Sequence, residues 1–316
     1  MFNEALKASF METVIGTHYL SQYRSIFKAI EPYEQAWNAD ICTKTSDEIA
    51  PIMDKVVGLR LRSKYVRLIL LKKYVKWCID EGYPGAIDGI SGIDSIGYSK
   101  IKEMTVANPL HLQKIMDEVF DPEEDNTVDN TYRTYMWLAY GGLPEDMIPK
   151  VTTHDVHMDC MAIDYGGYSV PIYRESLRAI SNCVELKQFV YRHPNYASEI
   201  SRNRLDGDIL IRGIRAIPST SAMRSMISYK FREHKLSDCN TSRLSYNRVW
   251  LSGLFYRTKE MEDAGIPVNF EWAANEMMKG KKYNLSSGRN TIQAKKRQIM
   301  NDFLVDYDRW KTAFNL

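Results

Sequence analysis

Lys55, Arg60, Arg62, Lys64, Arg67, Lys72, Lys73 and Lys76 occupy one stretch of the chain with no aspartate or glutamate among them, a local balance of +8. Residues 201–260 hold twelve basic and five acidic side chains, a balance of +7, whereas residues 111–160 hold three basic and eleven acidic, a balance of −8. Guanidinium and ammonium groups gathered in this way suit a polyanion. Duplex DNA carries one charge per roughly 1.7 Å, and a basic face that covers phosphates releases counterions. A basic helix face can also be plain solvated surface. Two clusters in separate halves of a chain whose net charge is only +2 favour faces that meet DNA. Tyr65, Tyr74, Tyr229 and Tyr246 lie among these cations, and core packing is the expected role of most of them.

Other chemistry has weaker support. His154 and His157, beside Asp155 and Asp159, have a spacing that could hold a metal, but the segment reads better as a strand with polar residues facing solvent, so neither metal nor cofactor is expected. Cys42, Cys78, Cys160, Cys183 and Cys239 are widely spaced and odd in number, which fits reduced thiols of a cytoplasmic protein. No apolar run reaches the roughly 18 residues of a membrane span. Glu4, Lys7 and Glu12 interrupt the start of the chain, which does not suit a signal peptide.

The elements that must carry the basic clusters are mostly helical. Tyr19, Leu20, Tyr23, Ile26, Phe27 and Ile30 predict a helix over His18–Ala36, and Ser46 can cap a short one. Tyr65, Val66, Ile69, Leu70, Tyr74 and Trp77 predict the strongest helix, over Val56–Ile79, which Gly82, Pro84, Gly85 and Gly89 end. A short helix near Lys100–Met104 closes this part, giving a helical domain over residues 1–107 and a second over 108–316. Helices are then expected at His111–Phe120 and Thr127–Ala139, with an acidic loop over Asp121–Asp129 between them. The period changes to alternation after Val156, which predicts one antiparallel hairpin at about Met158–Ile163 and Ser169–Ile172, turning at Gly166-Gly167. Further helices are predicted at Tyr173–Val190, Thr220–Glu233, Ser242–Ala264, Phe270–Met278 and Gln293–Phe314, with a basic loop over Arg202–Arg215 and a short strand at Asp208–Ile211.

At Gly141 a pattern emerges. The second domain of tyrosine recombinases has a turn of the form TGLRxSE after a helix, then about eight residues to an Asp-hydrophobic pair that starts a hairpin. Gly141-Gly-Leu-Pro-Glu-Asp-Met147 followed by Asp155-Val156 resembles this layout, and residues 1–107 resemble the SAM-like core-binding domain of those enzymes. The resemblance implies a mainly α, two-domain integrase architecture, with an α-rich C-terminal domain holding a small antiparallel sheet. It also places the first catalytic arginine at Pro144 and its partner glutamate at Met147. It finds no hairpin lysine within Asp164–Ser169, and no His-x-x-Arg among Asn247, Arg248, Val249, Trp250, Leu251 and Ser252. The nucleophilic tyrosine would map to Tyr283 or Tyr307. Proline cannot replace a bidentate guanidinium on a phosphate.

A narrower likeness, to phage lytic-cycle repressors of the SP-beta type, rests on Val106-Ala-Asn-Pro-Leu-His-Leu112 with Phe120, Tyr135-Met-Trp-Leu-Ala-Tyr-Gly-Gly142, Leu251-Ser-Gly-Leu-Phe-Tyr256 and Asp306-Tyr-Asp-Arg-Trp-Lys311. It implies a repressor of lytic genes that binds operator sites in a phage or prophage genome within the bacterial cytoplasm. No catalysis, no cleavage of DNA and no membrane would be expected, and an antirepressor protein or peptide is a candidate partner. The alternative is an active but divergent recombinase; a third reading, an adaptor without DNA binding, is disfavoured by the two basic clusters. The recombinase layout would bring Arg60, Arg62, Lys64 and Arg67 to DNA from one side, and Arg202, Arg204, Arg224, Lys230, Arg243, Asn247 and Arg248 from the other. The apolar stripe Ile299, Phe303, Tyr307, Trp310 and Phe314 is expected to pack in cis on its own domain, leaving a monomer.

Overall fold

The computed structural model describes residues 2–17, 19–56, 61–93, 99–120, 127–192, 199–203, 207–212, 218–234, 244–268, 270–279 and 292–316. It divides into two compact units: Met1–Ile101 with Leu304–Ala313, and Lys102–Phe303 with Phe314–Leu316. The first unit is helical: α1 (Glu4–Thr13), α2 (Leu20–Trp37), α3 (Ser46–Val56), α4 (Leu61–Asp80) and the start of α5 (Ser99–Met104). Phe10 sits at the centre of its core, edge-on to Tyr23 at 4.8 Å and to Tyr74 at 5.1 Å, with Phe27 meeting Tyr74 at 4.9 Å. Such ring pairs add about 0.5–1.5 kcal/mol each beyond area burial.

Beside the rings lies a fully buried ionic group. Lys7 Nζ donates to Glu34 and sits 3.7 Å from Asp40 Oδ2, all three side chains being closed to solvent. Burial of this kind is tolerated because the remaining lone pairs are used. Glu34 Oε1 accepts from Ile41 N at 3.1 Å, and Asp40 accepts from Cys42 N at 3.1 Å and from the Tyr74 hydroxyl at 2.9 Å. The cap of α3 differs from expectation by one residue. Thr45 N donates to Glu48 Oε2 at 2.9 Å, so Thr45 and Glu48 carry the cap, while Ser46 Oγ donates to Gly89 O at 2.8 Å. A side chain at Gly89 would lie 1.9 Å from Lys44 O, so only glycine permits that approach. The helix expected over Val56–Ile79 is described from Leu61 to Asp80 as α4, and residues 57–60 lie outside the described residues.

In the second unit Asn108 caps α6 (Pro109–Val119) by accepting from His111 N at 2.8 Å, and α7 (Thr127–Gly141) is buried nearly all round. α7 is the central helix of the unit. β1 (Val156–His157), β2 (Ala162–Tyr165) and β3 (Tyr168–Pro171) form an antiparallel sheet in which Ile163 faces Val170, both buried. The β2–β3 turn lies at Gly166 and Gly167, as the sequence predicts, with φ of 59° and 80°. Met158–Met161, expected within a strand, instead connects β1 to β2, and Met161 takes a left-handed φ of 55°.

Further differences follow. The helix expected over Tyr173–Val190 is the shorter α8 (Leu177–Glu185), and Gln188–Arg192 is a strand, β4, paired with β5 (Glu199–Asn203) in a second antiparallel sheet. Phe189, Val190 and Tyr191 are strand formers whose short run gives no helix-or-strand period to read. Arg202 therefore stands on a strand, not in a loop. Asp208–Ile211 gives an isolated bridge, Thr152 to Ile209, in place of the expected strand. α9 (Thr220–Glu233) and α11 (Phe270–Met278) match expectation; α10 covers Tyr246–Asp263 and α12 covers Ile292–Phe314. On α12 Phe303, Tyr307 and Trp310 of the stripe are buried. The stripe is not confined to one unit, however: Leu304–Ala313 belongs to the first. No helix among the described residues is long and apolar enough to cross a membrane.

Candidate nucleic-acid interface

α9 begins at Ser219, whose Oγ accepts from Ala222 N at 3.2 Å. It buries Met223, Ile227 and Phe231, one turn apart, and this fixes which face looks outward. Arg224 lies on the exposed face and Lys230 is partly covered. α10 is pinned to α7 by a close crossing at Gly253, where a Cβ would lie 1.7 Å from Tyr140 O. Three side chains then stitch α10 to the end of α7 and the turn after it. Tyr246 Oη donates to Leu143 O at 2.6 Å, Trp250 Nε1 to Gly142 O at 3.0 Å, and Arg257 Nη1 to Tyr140 O at 2.6 Å. In consequence Asn247 is exposed in the first turn of α10 and Arg248 is half-buried.

Beside the turn after α7 and the first turns of α10 lies a recess of about 190 Å³, lined in part by Pro144, Glu145, Asp146, Asn247, Trp250 and Lys279. Its charge is mixed. Lys279 pairs with Glu276 at 2.6 Å and stands 4.7 Å over the ring of Tyr168. Glu145 takes the guanidinium of Arg224 on both oxygens and also accepts from Tyr135 Oη at 2.5 Å. That carboxylate holds the arginine's proton more firmly, and burial with the neighbouring carboxylate pushes the Tyr135 hydroxyl well above the usual phenol range. Lys230 Nζ lies 3.1 Å from Asp129, whose side chain is only 3% exposed.

Asn247 and Glu145 thus line one recess, Arg224 is held by Glu145 without lining it, and Lys230 lies further along the same helix as Arg224. Arg67, on α4 of the first unit, is half-buried and donates to Val56 O; burial lowers its pKa. Arg62 and Lys64 also lie on α4 and Arg202 on β5, with the backbone alone described. Arg60, Arg204, Arg243 and Tyr283 lie outside the described residues. Tyr74 and Tyr246 pack in the cores as expected, whereas Tyr229 is 46% exposed. Tyr307 is buried and stacks on Trp310 at 5.9 Å. His154 and His157 each approach one carboxylate, Asp208 at 3.1 Å and Asp164 at 3.7 Å, and among the described residues no three metal-ligating side chains gather. Charge counting missed Glu145, Tyr135 and Trp250. The signal for Glu145 was its place beside Pro144 in the turn, read there only for what it lacked.

Residues 1–80, about a quarter of the chain, match the family model described as "MrpR, N-terminal core-binding domain". No curated protein matches. Among solved structures the chain is similar to a XerA recombinase at 14% identity and a TM-score of 0.41, over 95% of this chain and 93% of that one. It is similar to a lambda integrase dimer bound to a COC′ core site at 11% identity and a TM-score of 0.35, over 90% and 99%. A Tn1549 transposon integrase in complex with circular intermediate DNA gives 11% identity and a TM-score of 0.36, over 93% and 98%. These findings correct one expectation: the reading of the chain as no enzyme does not stand, because the structures it matches are a recombinase and integrases. The chain is thus similar to the MrpR N-terminal core-binding domain over residues 1–80 and, at low identity, to solved recombinase and integrase structures along most of its length.

Proposed function

We propose that this chain is a sequence-specific DNA-binding protein that represses transcription, acting on operator sites of a phage or prophage in the bacterial cytoplasm. The observation that carries the DNA reading is the exposure of two base-reading side chains near one turn: Asn247 lines the recess, and Arg224 is held by Glu145, which lines it too. Arginine is suited to the O6 and N7 of guanine and asparagine to the N6 and N7 of adenine. Both side chains are exposed and both stand on helices anchored in the core. The positive stretch Lys55–Lys76 supplies phosphate attraction in the other half. The repressor role rests on the SP-beta-type likeness together with the MrpR core-binding match. On this reading residues 1–107 and 108–316 are the functional domains, the protein is a monomer in solution, and an antirepressor protein or peptide releases it.

The test is selection of bound sites from a random duplex pool and from host genomic fragments, followed by gel shifts at two salt concentrations. An enriched motif, salt-sensitive binding and promoter repression by that motif are expected. Absence of enrichment would defeat the DNA reading. A covalent adduct with a nicked duplex would instead place the chain among strand-exchanging enzymes.

A further inference from the structure

Arg224 is 59% exposed, yet one edge of its guanidinium is fixed. Nε donates to Glu145 Oε1 at 2.5 Å and Nη2 donates to Glu145 Oε2, a fork-on-fork pair. Glu145 is only 10% exposed, and its Oε1 also accepts a 2.5 Å hydrogen bond from Tyr135. The Tyr135 ring is fully buried in α7, the central helix of the unit. A rigid element therefore holds a tyrosine, the tyrosine holds a carboxylate, and the carboxylate holds an arginine on the surface. A guanidinium has five N–H donors, and this pairing engages those of the Nε–Nη2 edge. The outer edge, Nη1 with the second hydrogen of Nη2, points away from the carboxylate.

We propose that Tyr135 and Glu145 are positioning residues that lock Arg224 so that its outer edge meets a pair of acceptors on duplex DNA. A free arginine gives up its rotamer freedom when it binds, whereas this one has given it up in advance, which strengthens each contact it makes. The opposite outcome is physically distinct. If Glu145 merely neutralised Arg224, removing its charge would strengthen attraction to phosphates and tighten binding. The sign of the change on removal therefore decides between the two.

The inference rests on the DNA-binding reading, and the experiment separates their failures. Wild-type protein, Glu145→Gln, Tyr135→Phe and Arg224→Ala would be compared by gel shift on the duplex selected by the wild type and on a random duplex. Failure of the wild type to bind either duplex would defeat the DNA reading itself. Given wild-type binding, Glu145→Gln and Tyr135→Phe should each weaken the selected duplex, with Glu145→Gln costing about five- to a hundred-fold, the range of one bidentate contact. Loss on the selected duplex alone identifies the acceptors as a base edge. Equal loss on both, with the salt slope flattened by about one unit, identifies a phosphate. In the Arg224→Ala background neither change should cost anything more. Unchanged or tighter binding by Glu145→Gln, or a loss that persists without Arg224, would overturn the proposal. Tyr135→Phe keeps the ring in the core and carries the test alone should Glu145→Gln fail to fold.

Discussion

Replacing Lys7 by methionine keeps the length of the stem and removes only the charge. In the folded first unit this leaves Glu34 and Asp40 buried without their cation. Among the described residues Asp40 retains Cys42 N, Tyr74 Oη and Asn3 Nδ2 as donors, whereas Glu34 retains Ile41 N. Breaking a buried pair from one side costs about 3–5 kcal/mol, a large part of the 5–15 kcal/mol typical of a domain. The loss should depend on pH. Burial already pushes the Glu34 carboxyl up to about 7 against the attraction of Lys7. A carboxyl raised in the fold contributes stability below its unfolded value near 4.5 and loses it as pH rises through about 7. Without Lys7 that window extends upward, and below it Glu34 takes a proton instead of standing as an unpaired ion. Lys7→Met should therefore cost most near pH 8 and least near pH 5, the difference accruing at up to about 1.4 kcal/mol per pH unit. Urea unfolding followed by tryptophan fluorescence at pH 5, 6.5 and 8 measures this, with a midpoint shift of roughly 1–2 M expected at pH 8. A shift at pH 8 equivalent to under about 1 kcal/mol, or the same shift at all three values, would refute the account of Glu34 as a strained partner.

Three further outcomes are expected. Gly253→Ala would place its Cβ 1.7 Å from Tyr140 O, so α7 and α10 must separate, and thermal unfolding should show a loss of at least about 3 kcal/mol. Asn247→Ala, at an exposed site, should leave the melting temperature unchanged but cost roughly 1–3 kcal/mol on a selected duplex and little on random DNA; equal loss on both would make it a backbone contact. Lys230→Met removes the 3.1 Å ion pair to Asp129, whose side chain is 3% exposed, and urea unfolding at neutral pH should show a loss of about 1–3 kcal/mol.

Periodicity located α9 and α11 because each has one clean apolar face and a clear stop: Met223, Ile227 and Phe231 recur every fourth residue. It failed at Gln188–Arg192, a strand paired with Glu199–Asn203, of which Arg202 and Asn203 read by charge as the start of a basic loop. The glycine pair at the β2–β3 turn was legible because two successive positive φ values demand it. The candidate site was legible in its cations and not in their partners. Counting charges finds Arg224, but a carboxylate that fixes it comes from 79 residues away, and only packing brings Glu145 and Tyr135 beneath it. Nothing in the residue types of Lys7, Glu34 and Asp40 announces that they are buried together.

The assignment of Leu304–Ala313 to the first unit has a consequence for biosynthesis. A chain emerging at about 5–20 residues per second presents Ile101 roughly 10–40 s before its final helix is complete. During that interval the N-terminal unit lacks the segment that supplies Tyr307 and Trp310, both buried in the finished molecule. Its last part is thus made after the whole of the second unit up to Phe303 has been synthesised. Nascent chains stalled before residue 304 should accordingly be more sensitive to protease within the first hundred residues than the released protein, whereas a unit built only from contiguous sequence would be protected as soon as it left the ribosome.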